Sequence, residues 1–411
     1  MDLTLAIFLV VYLAMGLGHL PGFKVDRTGA ALVGGLAMLG AGRITPEVAW
    51  MSIDYTTIGL LFGLMVVSAA FVVSGFYAWT AARVATLRVK PPLLLALLVV
   101  VGGGLSAVLT NDVVVVAMTP LLVAITLSRG LNPVPFLLGF CFAANTGSAG
   151  TIIGSPQNMI AAQGLGLSFT GFLASAGLPA LLSLPIVWAV IAALYRNRWQ
   201  RPPAVSAAAA SAPAVVFDRW ETLKAAVVTL AVVVAFIVSP WPREQIALAA
   251  AGVMLINRRI ASTDMMKHVD GNLILLLMGL FVVNAALAAT DLPQHLLADL
   301  RGAGFNLQQP VWLFVVSSVL SNIVGNNPAV MLLVPSLSPG GEADAMGAAL
   351  ALGTGFSSNL VVFGSLAGII VVEAAAKQGV TISFGEFCRA GVPVSLACMA
   401  VAMGWILLLA N

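Results

Sequence analysis

The chain has 411 residues, of which 60% are hydrophobic and only 9% are charged, and its formal net charge is +3. A soluble domain carries roughly 25% charged residues, so this composition excludes an ordinary soluble domain and predicts a membrane protein with many spans. No basic run with interleaved aromatic residues occurs, so nucleic acid is excluded as a predicted partner.

The first half, residues 1–195, contains five apolar runs that could cross a bilayer, which takes about 20 residues per helix. The N-terminal run lacks a basic n-region and a small-residue cleavage site, so we interpret it as a span and not as a signal peptide. A sixth apolar segment, 91–127, is interrupted at its centre and is predicted to form a re-entrant hairpin. The five predicted spans are 3–20, 25–41, 56–75, 134–163 and 171–195.

A segment rich in proline, alanine and serine, 196–221, follows and is predicted to be a flexible cytoplasmic linker. The second half, 222–411, contains five further spans and a second interrupted segment, 310–337, which we also expect to form a hairpin. The predicted spans are 224–238, 245–256, 272–290, 345–376 and 391–410.

The two halves repeat the same residues at a nearly fixed offset. Asp54 corresponds to Asp270 (270 − 54 = 216), and Asn111 corresponds to Asn326 (326 − 111 = 215). Apolar repeats with matching interruptions are typical of secondary transporters. The predicted fold is therefore an all-α polytopic membrane protein with about ten transmembrane helices, two re-entrant hairpins and two inverted-topology repeats.

The basic residues predict the orientation. With five crossings per half, sixteen of the 19 Lys and Arg residues fall on one face, and only Arg43, Arg243 and Arg301 fall on the other. The positive-inside rule makes the first face cytoplasmic. Both termini are then predicted outside, the first hairpin enters from the cytoplasm, and the second enters from outside.

Four interruptions, two per half, predict the transport site. Broken backbone inside a bilayer is tolerated where it is buried in protein or lines a watery cavity, and half-helix ends offer free N–H and C=O groups to a solute. Small residues also allow tight helix packing, but four paired breaks favour a site. The predicted binding residues are Thr110, Asn111, Asp112, Asn145, Thr146, Ser148, Gly154, Ser155, Ser321, Asn322, Asn326, Asn327, Ser357, Ser358, Asn359, Gly364 and Ser365.

The motifs around these breaks resemble the ion transporter superfamily. They read LTNDVVVVAMTPLL, NTGSAGTIIGSPQNMI, LSNIVGNNPAVMLLVPSL and GTGFSSNLVVFGSLAGIIVVEAA. That superfamily includes arsenite/antimonite efflux permeases, sodium/proton antiporters, and divalent-anion and citrate permeases. The pattern is most similar to the arsenite-permease and anion-permease branch. The resemblance implies alternating access without a built-in ATPase, since arsenite permeases work alone or with a separate soluble ATPase subunit.

Asp112 is the only acid within the interrupted segments, and its repeat partner Asn327 is neutral. An ionisable group at this depth is costly and indicates function, here a proton or cation relay. The alternative is a helix N-cap. Because asparagine caps as well as aspartate does, capping leaves the charge unexplained, and we predict that Asp112 couples transport to protons.

The four breaks contain no Lys or Arg, which favours an uncharged polar solute over a carboxylate or sulfate. Arsenite and antimonite are mainly neutral trihydroxides near neutral pH. The predicted function is proton-coupled arsenite/antimonite efflux across a prokaryotic cytoplasmic membrane. Alternatives are a sodium- or proton-coupled permease for di- or tricarboxylates or sulfate, a sodium/proton antiporter, and a channel.

Enzyme, metal and cofactor chemistry is not predicted. The sequence has neither a GxSxG nor an HExxH motif, and no histidine falls within the breaks, so an intramembrane hydrolase is disfavoured. Cys141, Cys388 and Cys398 have neither CxxC nor zinc spacing. Cys141 is a tempting thiol ligand for arsenic, but a small buried core residue is the favoured interpretation. We expect Asp54 and Asp270 to cap helices and Glu373 to pair with Lys377.

Overall fold

All regular secondary structure among the described residues is helical. The computed structural model describes residues 2–200, 216–290, 292–338, 340 and 342–410, and the predicted linker therefore lies largely outside the described residues, at 201–215. The first half contains α1 (Leu3–Leu17), α2 (Arg27–Gly40), α3 (Pro46–Ser52), α4 (Tyr55–Val73), α5 (Phe76–Thr86), α6 (Pro91–Val108), α7 (Asn111–Ser128), α8 (Pro133–Ser148), α9 (Pro156–Gly164) and α10 (Phe169–Leu194). The second half contains α11 (Arg219–Val238), α12 (Arg243–Leu255), α13 (Ser262–Met266), α14 (Gly271–Ala288), α15 (Leu292–Gly302), α16 (Pro310–Val324), α17 (Asn326–Leu333), α18 (Ala343–Ser357), α19 (Leu366–Lys377) and α20 (Phe384–Leu409).

Seven of these helices are long and apolar enough to cross a membrane, namely α4, α6, α7, α10, α11, α14 and α20, and α1 and α16 are shorter apolar helices. This confirms the predicted all-α polytopic fold. The predicted spans 25–41 and 245–256 correspond to α2 and α12, which have 14 and 13 residues. Both are short for a membrane crossing, which takes about 20 residues, and each packs against a longer helix.

Polar side chains begin many of the helices by accepting bonds from free backbone N–H groups. Asp26 accepts from Gly29 N, Asp54 from Thr56 N and Thr57 N, and Asp270 from Leu273 N. The expectation that Asp54 and Asp270 cap helices is therefore confirmed. Proline stands in the first turn of α3, α6, α8, α9 and α16, where its missing N–H costs nothing.

The two halves pack against each other through two equivalent helix pairs, each of which joins one helix from each half. α4 packs on α12, and the corresponding α14 packs on α2. A Cβ atom on Gly63 would lie 2.5 Å from the carbonyl carbon of Ala247, and one on Gly279 would lie 2.6 Å from that of Ala31. Both pairs obey the sequence offset (279 − 63 = 216 and 247 − 31 = 216). We call α2, α4, α12 and α14 the paired-helix bundle.

The hairpins, the interrupted helices and the helices that follow them form a second group, α6–α10 and α16–α20, which we call the hairpin bundle. Its centre is made by α8 and α18, whose residues 135–148 and 345–357 are all buried. α10 and α20 pack on each other and around this centre. Their outward faces are apolar and exposed, as expected for helices in contact with lipid.

Both interrupted segments form helical hairpins, as predicted, although the breaks are shorter than predicted. α6 and α7 are joined by Leu109 and Thr110, and α16 and α17 are joined by Gly325 alone, whose φ of 93° favours glycine. α8 is separated from α9 by residues 149–155, and α18 from α19 by residues 358–365. The sides from which the hairpins enter stay predictions.

Candidate functional site

A polar cavity of about 570 Å³ lies where the tips of both hairpins meet the paired-helix bundle. Asn111 and Asp112 reach it from the start of α7, and Asn326 and Asn327 reach it from the start of α17. The cavity extends to the surface beside His19, Asp26 and Glu373, which are exposed. The polar residues that line it are His19, Asp26, Arg27, Thr28, Asn111, Asp112, Gln157, Asp270, Asn272, Asn326, Asn327, Ser365 and Glu373.

Asp112 is the second residue of α7 and does not cap it. The N-cap is Thr110, which makes no side-chain capping bond, and the Asp112 carboxylate makes no hydrogen bond or ion pair with any described residue. Asn327 occupies the same position in α17, and its Oδ1 atom is buried without a partner among the described residues. The capping explanation is therefore wrong for both residues, because each side chain is left free at the cavity.

The tip of the first hairpin is held by backbone contacts with its surroundings. Thr110 N donates to Ser68 Oγ of α4 at 3.2 Å, and Asn111 N donates to Gly154 O at 3.0 Å. A Cβ atom on Gly154 would lie 2.4 Å from Ser148 O and 2.8 Å from Ser106 O. Only glycine allows the break before α9 to approach the hairpin this closely, so Gly154 shapes the site without binding a solute through a side chain.

The tip of the second hairpin is held by side chains. Asn326 Nδ2 donates to Ser358 Oγ at 2.8 Å, and Ser358 Oγ donates to Asn326 Oδ1 at 3.1 Å or to Thr354 O at 2.6 Å. A Cβ atom on Gly364 would lie 2.9 Å from Ser358 O. The repeat-related glycines 154 and 364 therefore meet the carbonyls of repeat-related serines, which fixes both breaks in the same way.

An amide pair joins the two repeats at the centre of the hairpin bundle. Asn145 Nδ2 lies 2.9 Å from Asn359 Oδ1 and 3.0 Å from Ser365 Oγ. Asn111 Nδ2 donates to Asn145 Oδ1 at 3.4 Å, which connects this pair to the wall of the cavity. The network therefore connects the cavity wall to the interrupted helices of both repeats.

Five of the predicted site residues line the cavity, namely Asn111, Asp112, Asn326, Asn327 and Ser365. The others lie behind the wall, around the breaks. Ser321 and Ser357, for example, share a hydroxyl–hydroxyl bond of 2.9 Å. These supporting residues are Thr110, Asn145, Thr146, Ser148, Gly154, Ser155, Ser321, Asn322, Ser357, Ser358, Asn359 and Gly364.

Several residues of the cavity wall lie outside the set predicted from the sequence. His19, Asp26, Arg27 and Asp270 come from helix ends outside the four breaks, and Glu373 comes from the middle of α19. The expected Glu373–Lys377 pair is wrong, because it is absent from the ion pairs of the described residues and Glu373 faces the cavity instead.

Gln157 was missed as well, although it follows the predicted break directly. It is 5% exposed and lines the cavity, and its amide makes no hydrogen bond with any described residue. Its place just after Ser155 and Pro156, in the first turn of a half-helix, was the available signal.

The cavity carries an excess of negative charge. Asp26, Asp112, Asp270 and Glu373 oppose the single guanidinium of Arg27, so the formal charge of the wall is −3 with His19 neutral. Such a wall attracts cations and protons and repels free anions. Cys141 is buried in α8 and does not line the cavity, which agrees with a packing role.

Comparison with a protein-family model shows the family to which the chain belongs. The model of the citrate transporter family matches residues 10–355, which is most of the sequence. The chain belongs to the citrate transporter family. It is therefore a membrane transporter of the superfamily that its motifs resemble, whereas the arsenite-permease branch stays a prediction.

Two relatives of this citrate transporter family member differ in how much of the chain they match. A 46 kDa membrane protein of Mycobacterium leprae is 29% identical over 97% of this chain and 96% of its own length. A silicon efflux transporter of Oryza sativa is 33% identical, but over only 40% of this chain and 33% of its own length. The first similarity extends over both repeats, and the second covers part of the chain.

A solved structure with a similar fold belongs to the YdaH transporter of Alcanivorax borkumensis, whose topology is described as unusual. It aligns with a TM-score of 0.57 and 15% identity over 99% of this chain and 97% of the other. At this identity the likeness concerns the fold alone. The likeness extends over both halves of the chain.

Proposed function

We propose that this protein is a proton-coupled exporter of arsenite and antimonite in the cytoplasmic membrane of a prokaryote. The observation that carries the proposal is the unpaired carboxylate of Asp112 at a cavity lined by amides from both repeats. Asn111, Gln157, Asn326 and Asn327 offer both donors and acceptors, as a solute with several hydroxyl groups requires.

The charge of the cavity favours an uncharged solute. A free di- or tricarboxylate would meet four carboxylates and one guanidinium, so it would enter only if protons or metal cations neutralised it. A neutral trihydroxide is not repelled by these carboxylates. The silicon efflux relative is consistent with this choice, because dissolved silicon is also a neutral polyhydroxide.

The proposed cycle exchanges the neutral solute for a proton. The cavity reaches the surface beside Asp26 and Glu373, on the face that the basic residues predict to be cytoplasmic. The solute binds there among the amides while Asp112 is ionised. After the site is exposed to the opposite side, the solute leaves and Asp112 takes up a proton, which is released inside on return. A separate soluble ATPase subunit is not required for this cycle.

A second candidate is sodium/proton antiport. It is favoured by the same four carboxylates, because carboxylates and amide oxygens are suitable ligands for a hard cation. In that case Asp112 would bind sodium and protons alternately, and arsenite would not be transported.

Uptake of labelled arsenite into everted membrane vesicles with an imposed proton gradient tests the proposal. We expect gradient-driven accumulation by the wild type and its loss in Asp112→Asn, which keeps the size of the side chain and removes its charge. Accumulation that depends on sodium, or no arsenite transport by a folded wild type, would contradict the proposal and favour the second candidate or an anion permease.

A further inference from the structure

The repeat-related residues Asp54 and Asp270 begin equivalent helices but have different partners. Both carboxylate oxygens of Asp54 are occupied, because Oδ1 accepts from Thr56 N at 3.0 Å and from the Thr56 hydroxyl, and Oδ2 accepts from the Thr57 hydroxyl. In the second repeat these threonines are replaced by Asn272 and Leu273. Asp270 accepts only from Leu273 N, through Oδ1 at 3.0 Å, and no described residue donates to its Oδ2.

The free oxygen of Asp270 belongs to the same cavity as Asp112. Asp54 lines no part of that cavity, whereas Asp112 and Asp270 both line it, so the two carboxylates share one polar space. Gln157, a residue that is only 5% exposed, also lines it, and its amide has no partner among the described residues. An amide without a protein partner is satisfied by water or by a bound solute, so this region of the wall can bind a polar group.

The other charged groups at the cavity do not neutralise this pair. The charged or titratable residues of the wall are His19, Asp26, Arg27, Asp112, Asp270 and Glu373. Asp26 is exposed and caps α2 through Gly29 N, and Glu373 is exposed on α19. No described residue makes an ion pair with Asp112 or Asp270. Two carboxylates that share one cavity, with no cation paired to either, favour a state in which one proton is bound between them.

We propose that Asp270 is the second coupling residue, and that Asp112 and Asp270 bind one transported proton between them. This inference rests on the proposed function and adds a residue to it. Asp112 belongs to the hairpin bundle, and Asp270 begins α14 of the paired-helix bundle. A movement of one bundle relative to the other therefore separates the two carboxylates and changes how strongly the pair holds its proton, which links proton release to the conformational change.

Asp270→Asn is the test variant, and Asp54→Asn is its matched control, because asparagine preserves the cap in both repeats. We expect Asp270→Asn to lose gradient-driven arsenite accumulation, down to the level of vesicles without transporter. It should keep counterflow of labelled arsenite, which needs solute binding and alternating access but no net proton transfer. Asp54→Asn should keep both activities. Gradient-driven accumulation by Asp270→Asn at the wild-type level would overturn the inference.

Infrared difference spectra of the purified protein in nanodiscs provide a second readout that does not depend on the cargo. The inference predicts a carbonyl band of a protonated carboxylic acid that titrates with pH and disappears in both Asp112→Asn and Asp270→Asn, but not in Asp54→Asn. If the wild type transports no arsenite while this band behaves as expected, the proposed cargo fails and the carboxylate pair stands. A band that is unchanged in Asp270→Asn overturns the pair, whatever the cargo is.

Discussion

At the scale of single residues, the two repeats use the same positions in different ways. Ser155 and Ser365 both stand at the N-terminus of a half-helix. Ser365 caps α19 by accepting from Gly368 N at 3.0 Å, and it also accepts from Asn145. Ser155 makes no capping bond, and its hydroxyl is buried without a partner among the described residues. The same serine is therefore structural in the second repeat and left unsatisfied in the first.

This difference predicts unequal effects of removing the two hydroxyl groups. Ser365→Ala removes a cap and an acceptor, so the free energy of unfolding should fall by about 1–2 kcal/mol. Ser155→Ala removes an unpartnered polar group and should leave stability unchanged or slightly higher. Thermal unfolding of the purified variants in detergent measures both. Equal destabilisation by the two substitutions would contradict the assignment of these bonds.

Residues of the breaks were predictable because the internal repeat marks them twice. Asn111 and Asp112 correspond to Asn326 and Asn327, and all four line the cavity. Asp270 was predicted only to begin a helix, and Asp26 had no predicted role. Their place in the cavity wall depends on which helix ends meet in three dimensions. A single sequence shows polar interruptions of an apolar run, but it does not show which ends of separate helices converge.

At the scale of helices, close contacts between backbones hold the paired-helix bundle together. Small residues at helix crossings allow this approach inside a membrane, where packing replaces the hydrophobic effect as the main attraction between helices. Gly63 and Gly279 occupy equivalent crossings, each against the backbone of an alanine. These contacts explain why the repeat conserves glycine there while its apolar neighbours vary between the halves.

Alanine at either crossing should destabilise the protein. Gly63→Ala and Gly279→Ala each force two helices apart and should cost about 1–3 kcal/mol of unfolding free energy. Gly252→Ala is the control, since it lies within α12 with no atom near the added methyl group, and it should be neutral or stabilising. Thermal unfolding compares the three. A loss at Gly63 or Gly279 no larger than at Gly252 would show that the crossings are looser than described.

Each hairpin is connected to the paired-helix bundle at one repeated position, directly in the first repeat and through Tyr12 of α1 in the second. Ser68 of α4 accepts from the first hairpin, and the corresponding Asn284 of α14 (284 − 68 = 216) accepts from Tyr12 of α1 at 2.9 Å. The Tyr12 hydroxyl also lies 3.5 Å from Pro328 O of the second hairpin. Bonds between the two bundles must break or rearrange when one bundle moves relative to the other.

Removal of the Tyr12 hydroxyl tests this connection. Tyr12→Phe leaves the half-buried amide oxygen of Asn284 without its partner and should lower the free energy of unfolding by about 1–2 kcal/mol. Tyr55→Phe is the control, because Tyr55 is 75% exposed, and it should have no measurable effect. Thermal unfolding of both variants decides the matter, and indistinguishable midpoints would contradict a stabilising role for the Tyr12 bond.

At the scale of the whole molecule, the distribution of basic residues predicts the orientation of the protein and therefore the side of the membrane to which the cavity opens. The exposed Arg258 belongs to the predicted cytoplasmic face, and the exposed Arg301 belongs to the opposite face. The helical fold and its repeat were predictable, since both are recorded in apolar runs and repeated breaks. The side of the membrane on which the cavity opens depends on insertion, and the fold by itself is compatible with either direction.

Labelling of introduced cysteines tests the orientation. In a background without the three native cysteines, Arg301→Cys should react with a membrane-impermeant maleimide in intact cells. Arg258→Cys should react only after the membrane is permeabilised. The reverse pattern would place the opening of the cavity on the outer face and would contradict the predicted orientation.

The central claim is that a proton moves against a neutral solute through the cavity that contains Asp112. Its most direct test is the simultaneous measurement of labelled arsenite and internal pH in proteoliposomes, with no other gradient imposed. An arsenite gradient should drive protons in the opposite direction in the wild type, and Asp112→Asn should abolish this proton movement. Arsenite flux without proton movement, or proton movement that is driven by sodium and not by arsenite, would contradict the central claim.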